Sequence, residues 1–271
     1  MGKKLVKQLL SGLGKMPLPE TTQATAQGLE AYRIGLDTVD SYKGDPKTLL
    51  DALGTFRSGK SRPFTCAGVA YTLVAASQEP DGSYDPIGLD AAMEWVEKAQ
   101  ETEPDILLIN MIEALVYIYH GRFEDAGLVL EYLRQQDAAN YYLHVAEMLL
   151  AQRQGDVEKA GLWYEQATKS AIHTPQRLRL QAQMGDFYLE HSVFDKALVM
   201  FKEAVHFDKE NYRLWHKIGV VFFKMEEYEE AQRYNQRVLK MNDYGPARQL
   251  EAAIKQQLTP DSGRLGRMFK R

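Results

Sequence analysis

The feature of this sequence that most constrains its fold is an alanine that recurs about every 34 residues. Intervals of 34, 34, 37 and 34 residues separate the five positions, which are Ala92, Ala126, Ala160, Ala197 and Ala231. A large apolar residue stands three positions before each of them: Leu89, Phe123, Val157, Phe194 and Tyr228. A fixed period of this length is typical of stacked helix–turn–helix units. It predicts an all-α protein and argues against strands, because no useful stretch alternates with a period of two.

The residues after each alanine repeat as well. Four positions later stand Val96, Leu130, Tyr164 and Phe201, with Asn235 departing from the apolar pattern, and seven positions later stand Ala99, Leu133, Ala167, Ala204 and Val238. Residues at these spacings share one helix face, so we expect them to fill the space between hairpins. Gly185 and Gly219 stand twelve residues before Ala197 and Ala231, which predicts hairpins whose two helices approach closely.

These units resemble those of the tetratricopeptide repeat family. The best match extends from Tyr212 to Lys240, with Trp215, Ile218, Gly219 and Phe222 on the first helix and Ala231 and Val238 on the second. The unit that begins at Leu178 matches through Met184, Gly185, Tyr188, Ala197, Phe201 and Ala204. The resemblance covers about residues 60 to 245. It implies a right-handed α-solenoid of about six hairpins with a C-terminal capping helix, whose first helices line a concave protein-binding groove.

The chain divides into three segments along its length, and the middle one is divided further. Residues 1–19 form a basic amphipathic segment, 20–258 a superhelical domain, and 259–271 a basic flexible tail. Within the domain we expect degenerate hairpins over 20–104, regular repeats over 107–140, 141–174, 178–211 and 212–245, and a cap over 246–258. Turn-forming residues at 79–86 mark an insertion that makes one hairpin about twelve residues longer than the usual hairpin.

The family resemblance also implies which residues would line the groove. The apolar candidates are Met111, Leu115, Tyr119, Tyr142, Val145 and Leu149, and the basic ones are Arg179, Arg213 and Lys217. The groove should therefore change from apolar to charged along the array. Some family members grip a C-terminal carboxylate; Arg213 and Lys217 match that basic pair, but Val145 and Leu149 do not match its Lys and Asn. The alternative is that the chain itself covers the apolar stripe.

The charge distribution limits the classes of partner. The net charge is −4 at pH 7. Residues 1–19 contribute +4 and residues 259–271 contribute +3, so residues 20–258 carry −11. An acidic body argues against nucleic-acid binding, which needs a basic surface to displace counterions. The two basic ends could contact an anionic surface or lie free in solvent.

The N-terminal segment is a candidate for docking. Leu5, Leu9, Leu10 and Leu13 lie on one stripe of a short helix, opposite lysines. An isolated helix of this length is marginal in water, so its apolar face needs a surface. Three surfaces are possible for this face: an anionic membrane contacted through residues 1–16, a partner protein, or the chain's own body. We favour docking on the acidic body, near the stripe that contains Met111.

One motif indicates a different function. Residues 54–61 read Gly-Thr-Phe-Arg-Ser-Gly-Lys-Ser and fit the phosphate-binding loop GxxxxGK[ST]. That loop requires a preceding buried strand, whereas the apolar residues of 48–53 are spaced as in a helix. A nucleotide-binding enzyme or regulator is therefore the alternative function, and an inter-repeat turn is the favoured interpretation of these residues.

The remaining observations favour a binding protein over an enzyme. The six histidines show no metal-ligand spacing, no serine stands in a nucleophile-elbow context, and neither a metal nor a cofactor is expected. The single cysteine, Cys66, suits a reducing compartment and hence the cytoplasm. We expect an adaptor, assembly factor or co-chaperone that binds a segment of another protein. The partner and the oligomeric state are left open.

Overall fold

A computed structural model of the chain describes residues 2–42, 44–79, 82–171 and 174–258. The described residues form α-helices and no strand, apart from one isolated antiparallel bridge between Gln78 and Tyr84. The predicted all-α solenoid is confirmed. The helices of these residues are α1 (Gly2–Leu13), α2 (Ala26–Asp40), α3 (Pro46–Ser58), α4 (Arg62–Ser77), α5 (Pro86–Gln100), α6 (Leu107–His120), α7 (Phe123–Gln136), α8 (Tyr141–Arg153), α9 (Val157–Ser170), α10 (Thr174–Glu190), α11 (Phe194–Phe207), α12 (Tyr212–Lys224), α13 (Tyr228–Met241) and α14 (Gly245–Leu258).

Local sequence signals set where several helices begin. The side chains of Thr25, Asp45, Asn140 and Asn211 accept hydrogen bonds from backbone N–H groups in the first turns of α2, α3, α8 and α12. These polar side chains satisfy amides that the helix itself leaves without partners. Helix α2 begins at Ala26 because Thr25 provides the cap.

The recurring alanines form the core of the hairpins. Each of the five side chains is fully buried. The bulky residues one turn later are buried as well in three repeats, namely Val96, Leu130 and Phe201. A Cβ added to Gly185 would lie 2.5 Å from Cε1 of Phe201, so the small residue on the first helix makes room for an aromatic ring on the second. The period in the sequence thus arises because the same packing contacts between helices recur in each hairpin.

The chain comprises two units, residues 1–156 and 157–271. In the first unit, α2 pairs with α3, α4 with α5, and α6 with α7, while α8 packs against α6 and α7. In the second unit, α10 pairs with α11 and α12 with α13, while α14 packs against α13. Helix α4 is buried along most of its length, because α1, α2, α3, α5 and α6 all contact it.

The N-terminal segment folds onto the first unit. Leu5, Val6, Leu9 and Leu13 of α1 are all less than a tenth exposed and join the core formed by α2 to α6. Docking on the chain's own body is therefore confirmed. The expected place was wrong, because α1 packs on α4 and α5 and not on the stripe of α6. The lysines of α1 are exposed on its opposite face.

The segment that resembles a phosphate-binding loop is a connection between two helices. Gly54 to Ser58 form the last turn and a half of α3, and Lys60 is an exposed residue in the left-handed region at φ 52°. The buried hydroxyl of Ser61 donates a hydrogen bond to the carbonyl of Gln23 at 2.9 Å. A helix, and not a strand, precedes the glycines, so the geometry of a nucleotide-binding loop is absent from these described residues.

Two expectations fall outside the described residues. The basic tail over 259–271 is one, and the middle of the insertion, Pro80 and Asp81, is the other.

Candidate protein-binding site

The candidate site in the first unit lies on α6 and α8, the first helices of two successive repeats. We define the first-helix surface as Leu115 and Tyr119 of α6 together with Tyr142, Val145 and Leu149 of α8. Leu115 and Leu149 pack, partly buried, on one apolar cluster that α6, α7 and α8 share. The sequence therefore placed these residues on neighbouring elements. Helix α8 is oriented by its Asn140 cap, whose side-chain oxygen accepts from the backbone N–H of Tyr142 at 2.9 Å.

Tyr142 is the most accessible member of the surface. Its side chain is 49% exposed, whereas Val145 and Leu149 on the same helix are half-buried. The ring of Tyr141 contacts it edge-on, with centroids 5.2 Å apart. An aromatic ring that is held by its neighbours and still open to solvent is a typical anchor for a protein partner.

Met111 does not line the surface. Its side chain is only 8% exposed, because it packs in the apolar cluster with Ala114, Leu133 and Leu143. The expectation that Met111 contacts a partner is therefore corrected. The resemblance placed it on the correct helix, but its position faces the second helix of the hairpin, where apolar burial is favourable.

Tyr119 is covered by the chain itself. The ring of Tyr84, from the connection between α4 and α5, stacks on Tyr119 with centroids 4.1 Å apart and planes 20° apart. The guanidinium carbon of Arg153, at the end of α8, lies 5.3 Å from both ring centroids. Burial raises the pKa of both phenols above the usual value, so both tyrosines are neutral at physiological pH. At Tyr119 the apolar stripe is therefore covered by the chain itself, which was the alternative to an open groove.

The second unit presents a charged surface on its own first helices. Nζ of Lys217 on α12 lies 2.6 Å from Oδ2 of Asp186 on α10. Arg213 and Arg179 are exposed, and the guanidinium of Arg213 lies over the ring of Tyr212 at 5.9 Å. Lys217 is thus held in an ion pair across two successive first helices. Such a half-exposed pair contributes at most about 1 kcal/mol to stability.

His216 adds a polar atom to this charged surface. Its Nδ1 is buried without a hydrogen-bond partner, and its ring meets that of Tyr244 edge-on at 5.1 Å. Burial lowers the pKa of His216, and the nearby charge of Lys217 lowers it further. The histidine is therefore neutral at pH 7 and does not add to the positive charge of the surface.

The acidity of the body belongs to the first unit. Residues 1–156 contain 22 acidic and 14 basic residues, four of which are the lysines of residues 1–19, whereas residues 157–258 contain 14 acidic and 15 basic residues. The first-helix surface with its aromatic rings therefore lies in a unit whose net charge is −8. The charged surface lies among residues 157–258, whose net charge is +1.

Three further features of the described residues bear on other classes of function. Within these residues, no group of three His, Cys, Asp or Glu side chains could hold a metal ion, and no helix is long and apolar enough to cross a membrane. Cys66 is fully buried, and burial raises the pKa of its thiol to about 11. It is therefore protonated at neutral pH and a poor nucleophile.

Tyr84 is the residue of this site that the sequence did not reveal. It stands in a segment of turn residues, Glu79 to Asp85, that was interpreted only as an insertion. The signal available was an aromatic side chain amid glycine, serine and aspartate, where a solvated turn has no need for one. The contact partner of that ring could not be identified from sequence, because Tyr119 lies 35 residues further along the chain.

Comparison with known proteins places these features among repeat proteins. The family model for the tetratricopeptide repeat matches residues 212–243. Among curated proteins, human unconventional myosin-XVIIIb is 32% identical over 111 residues, which are 40% of this chain and 4% of that protein. The chain thus spans only a small fraction of this relative's length.

Solved structures show the same fold. The chain is similar to the APC/C hetero-tetramer Cut9–Hcn1, with a TM-score of 0.61 and 13% identity over 95% of this chain and 46% of that one. It is similar to yeast Tom70, with a TM-score of 0.52 and 13% identity over 98% and 67% of the two chains. A tetratricopeptide repeat protein from Parabacteroides merdae gives a TM-score of 0.51 and 13% identity over 86% and 87%. At these identities the likeness concerns the fold alone.

Proposed function

We propose that this chain, which belongs to the tetratricopeptide repeat family, is a scaffold that binds a segment of another protein on its first-helix surface. The observation that carries the proposal is the exposed ring of Tyr142, which is 49% accessible beside the half-buried Val145 and Leu149. Exposed apolar groups that lie side by side on one element favour burial against a partner. Aromatic residues supply much of the binding energy in such contacts.

The charge of the first unit suggests the chemistry of the partner segment. The excess of acidic residues between 20 and 156 favours a segment with net positive charge. The first-helix surface favours apolar or aromatic side chains at the points of contact. We therefore propose a basic segment with apolar anchors as the ligand, and its association should slow as the salt concentration rises.

The second unit supplies a separate set of contacts in this proposal. Arg179 and Arg213 are exposed there, and Lys217 is paired with Asp186. These groups suit acidic residues in another part of the partner. With two surfaces of different chemistry, the protein would act as an adaptor, assembly factor or co-chaperone. We place it in the cytoplasm, where its single buried thiol remains reduced.

Site-specific photocrosslinking tests the proposal. A benzophenone amino acid replaces Tyr142 on α8 in one variant and Tyr132 on α7 in the other. Tyr132 is the matched control, because it is a tyrosine of the same unit, 37% exposed, on a second helix. Irradiation in cells of the source organism, followed by mass spectrometry, should link one defined protein segment through position 142 and not through position 132. Equal labelling at both positions, or labelling at 132 alone, would contradict the proposal.

A further inference from the structure

The connection between α4 and α5 is longer than the other intra-hairpin turns of the first unit. Residues 78 to 85 separate these two helices, whereas Gly121 and Arg122 alone separate α6 from α7. The helices of the α4–α5 hairpin pack directly on each other, so the turn has no need of this length. The extra residues carry Tyr84, and this ring lies on the first-helix surface against Tyr119.

The backbone on both sides of Tyr84 is held in place. Residues Gln78 and Tyr84 form an antiparallel bridge, and the backbone N–H of Asp85 donates to the carbonyl of Ser77 at 2.8 Å. A second bond joins the N–H of Glu79 to the carbonyl of Ser83 at 2.9 Å. The ring is therefore presented by a fixed stem. Displacement of the ring from Tyr119 would therefore need rotation about the side-chain bonds of Tyr84, because the turn itself is held.

The Tyr84 ring makes a stacking contact and a cation–π contact, which are also the contacts by which proteins bind aromatic ligands. Tyr119 provides a flat aromatic face at 4.1 Å, and Arg153 provides a cation 5.3 Å from the ring centroid. Arg153 also donates through Nη2 to the carbonyl of Gly82 at 3.5 Å. The Tyr84 ring thus contacts side chains of two first helices: Tyr119 of α6, which belongs to the first-helix surface, and Arg153 of α8, which stands four residues after Leu149 of that surface. Aromatic stacking and cation–π contact both select an aromatic side chain at this place.

We propose that Tyr84 is an intramolecular ligand that occupies a subsite for an aromatic side chain of the partner, formed by Tyr119 and Arg153. The inference rests on the proposed function and adds a regulation to it. A partner segment must displace the Tyr84 ring before its own aromatic residue can stack on Tyr119. Because the internal competitor is always present, only the fraction of molecules with a displaced ring can bind, and the apparent affinity falls by that fraction.

Selection from a peptide library tests this regulation, with the library in place of the natural partner. The wild-type chain, Tyr84→Ala and Tyr84→Phe are each used to select from a random dodecapeptide phage library. Labelled copies of the selected peptides are then titrated against all three proteins by fluorescence anisotropy. Tyr84→Phe is the matched control, because it keeps the stacking ring. Circular dichroism melting shows whether the variants fold, and Tyr84→Asn, whose side chain suits a turn, is the second ring-free variant.

We expect the peptides selected on Tyr84→Ala to share one aromatic position. They should bind Tyr84→Ala and Tyr84→Asn at least about 10-fold more tightly than the wild type or Tyr84→Phe. Adding Tyr119→Ala to Tyr84→Ala should abolish this gain. Equal affinities for all proteins would overturn the inference and leave the proposed function standing. Failure of every protein to retain any peptide would count against both.

Discussion

The side-chain nitrogen of Asn235 donates a hydrogen bond to the carbonyl oxygen of Ala247 at 2.8 Å, which joins α13 to α14. Other repeats place Val96, Leu130 or Phe201 at the corresponding position, and Asn235 is buried as deeply, at 1% exposure. Asn235 thus departs from the apolar pattern in α13, the helix that packs against α14, the last described helix. A polar contact replaces an apolar one at this junction.

Replacing Asn235 by alanine should destabilise the protein. Loss of the donor leaves the α13–α14 junction without its polar contact, and we expect the free energy of unfolding to fall by about 1–3 kcal/mol. Urea denaturation followed by circular dichroism measures the change. The neighbouring Gln236 is exposed on the same helix, so Gln236→Ala should change stability by less than about 0.5 kcal/mol. Equal effects of the two substitutions would show that the hydrogen bond contributes nothing.

Four turns between consecutive helices use the left-handed backbone region at equivalent positions, five residues before a recurring alanine. Two are glycines, Gly121 at φ 79° and Gly155 at φ 72°, and two are not, Ser192 at φ 59° and Glu226 at φ 63°. A side chain with a Cβ is strained in this region. Ser192→Gly and Glu226→Gly should each stabilise the protein by about 1 kcal/mol.

Glycine within a helix supplies the control for these turns. Gln236→Gly in α13 should destabilise the protein by about 1 kcal/mol, because helical glycine gains no relief of strain and loses more backbone entropy. Urea denaturation midpoints of the three variants and the wild type, compared at equal dependence of the unfolding free energy on urea, measure these changes. A loss of stability in both turn variants would mean that the left-handed geometry of Ser192 and Glu226 is incorrect.

The docking of α1 predicts that its apolar residues contribute to stability. Leu9 is 3% exposed in the core of the first unit, whereas Lys7 is exposed on the same helix. Leu9→Ala should lower the free energy of unfolding by about 2–5 kcal/mol, because it leaves a cavity. Lys7→Ala should change it by less than about 0.5 kcal/mol. If differential scanning calorimetry finds the same melting temperature for both variants and wild type, α1 is not docked in solution.

The helical setting of residues 54–61 predicts that the chain does not bind nucleotides. Lys60 is an exposed turn residue after α3, with no strand before it among the described residues. Titration with magnesium ATP in a calorimeter should therefore give no binding heat at millimolar concentrations, and Lys60→Ala should behave like the wild type. Saturable binding that Lys60→Ala abolishes would revive the nucleotide-binding alternative.

Much of the fold could be predicted because packing repeats along the chain. The alanine period depends on contacts between helices that are near in sequence, and each repeat confirms the others. In the early, degenerate hairpins, Pro46 and Pro86 mark the starts of α3 and α5.

The candidate site was harder to predict, because the exposure of a side chain depends on which other parts of the chain pack over it. Met111 and Tyr142 both follow from the same family pattern, yet one is 8% and the other 49% exposed. The covering of Tyr119 by Tyr84 depends on the path of an insertion, which no periodic signal describes. The burial of α1 was expected from its amphipathic stripe, but its place on α4 and α5 depends on three-dimensional shape.

The binding affinity of Tyr142→Asp for the captured partner segment tests the central claim most directly. Isothermal titration compares it with the wild type and with Tyr132→Asp, which introduces the same charge on a second helix of the same unit. The proposed first-helix surface predicts at least a tenfold loss for Tyr142→Asp, a cost of about 1.4 kcal/mol, and less than about a twofold change for Tyr132→Asp. Unchanged affinity in Tyr142→Asp, with a loss in Tyr132→Asp, would contradict the account and place the partner on the second helices.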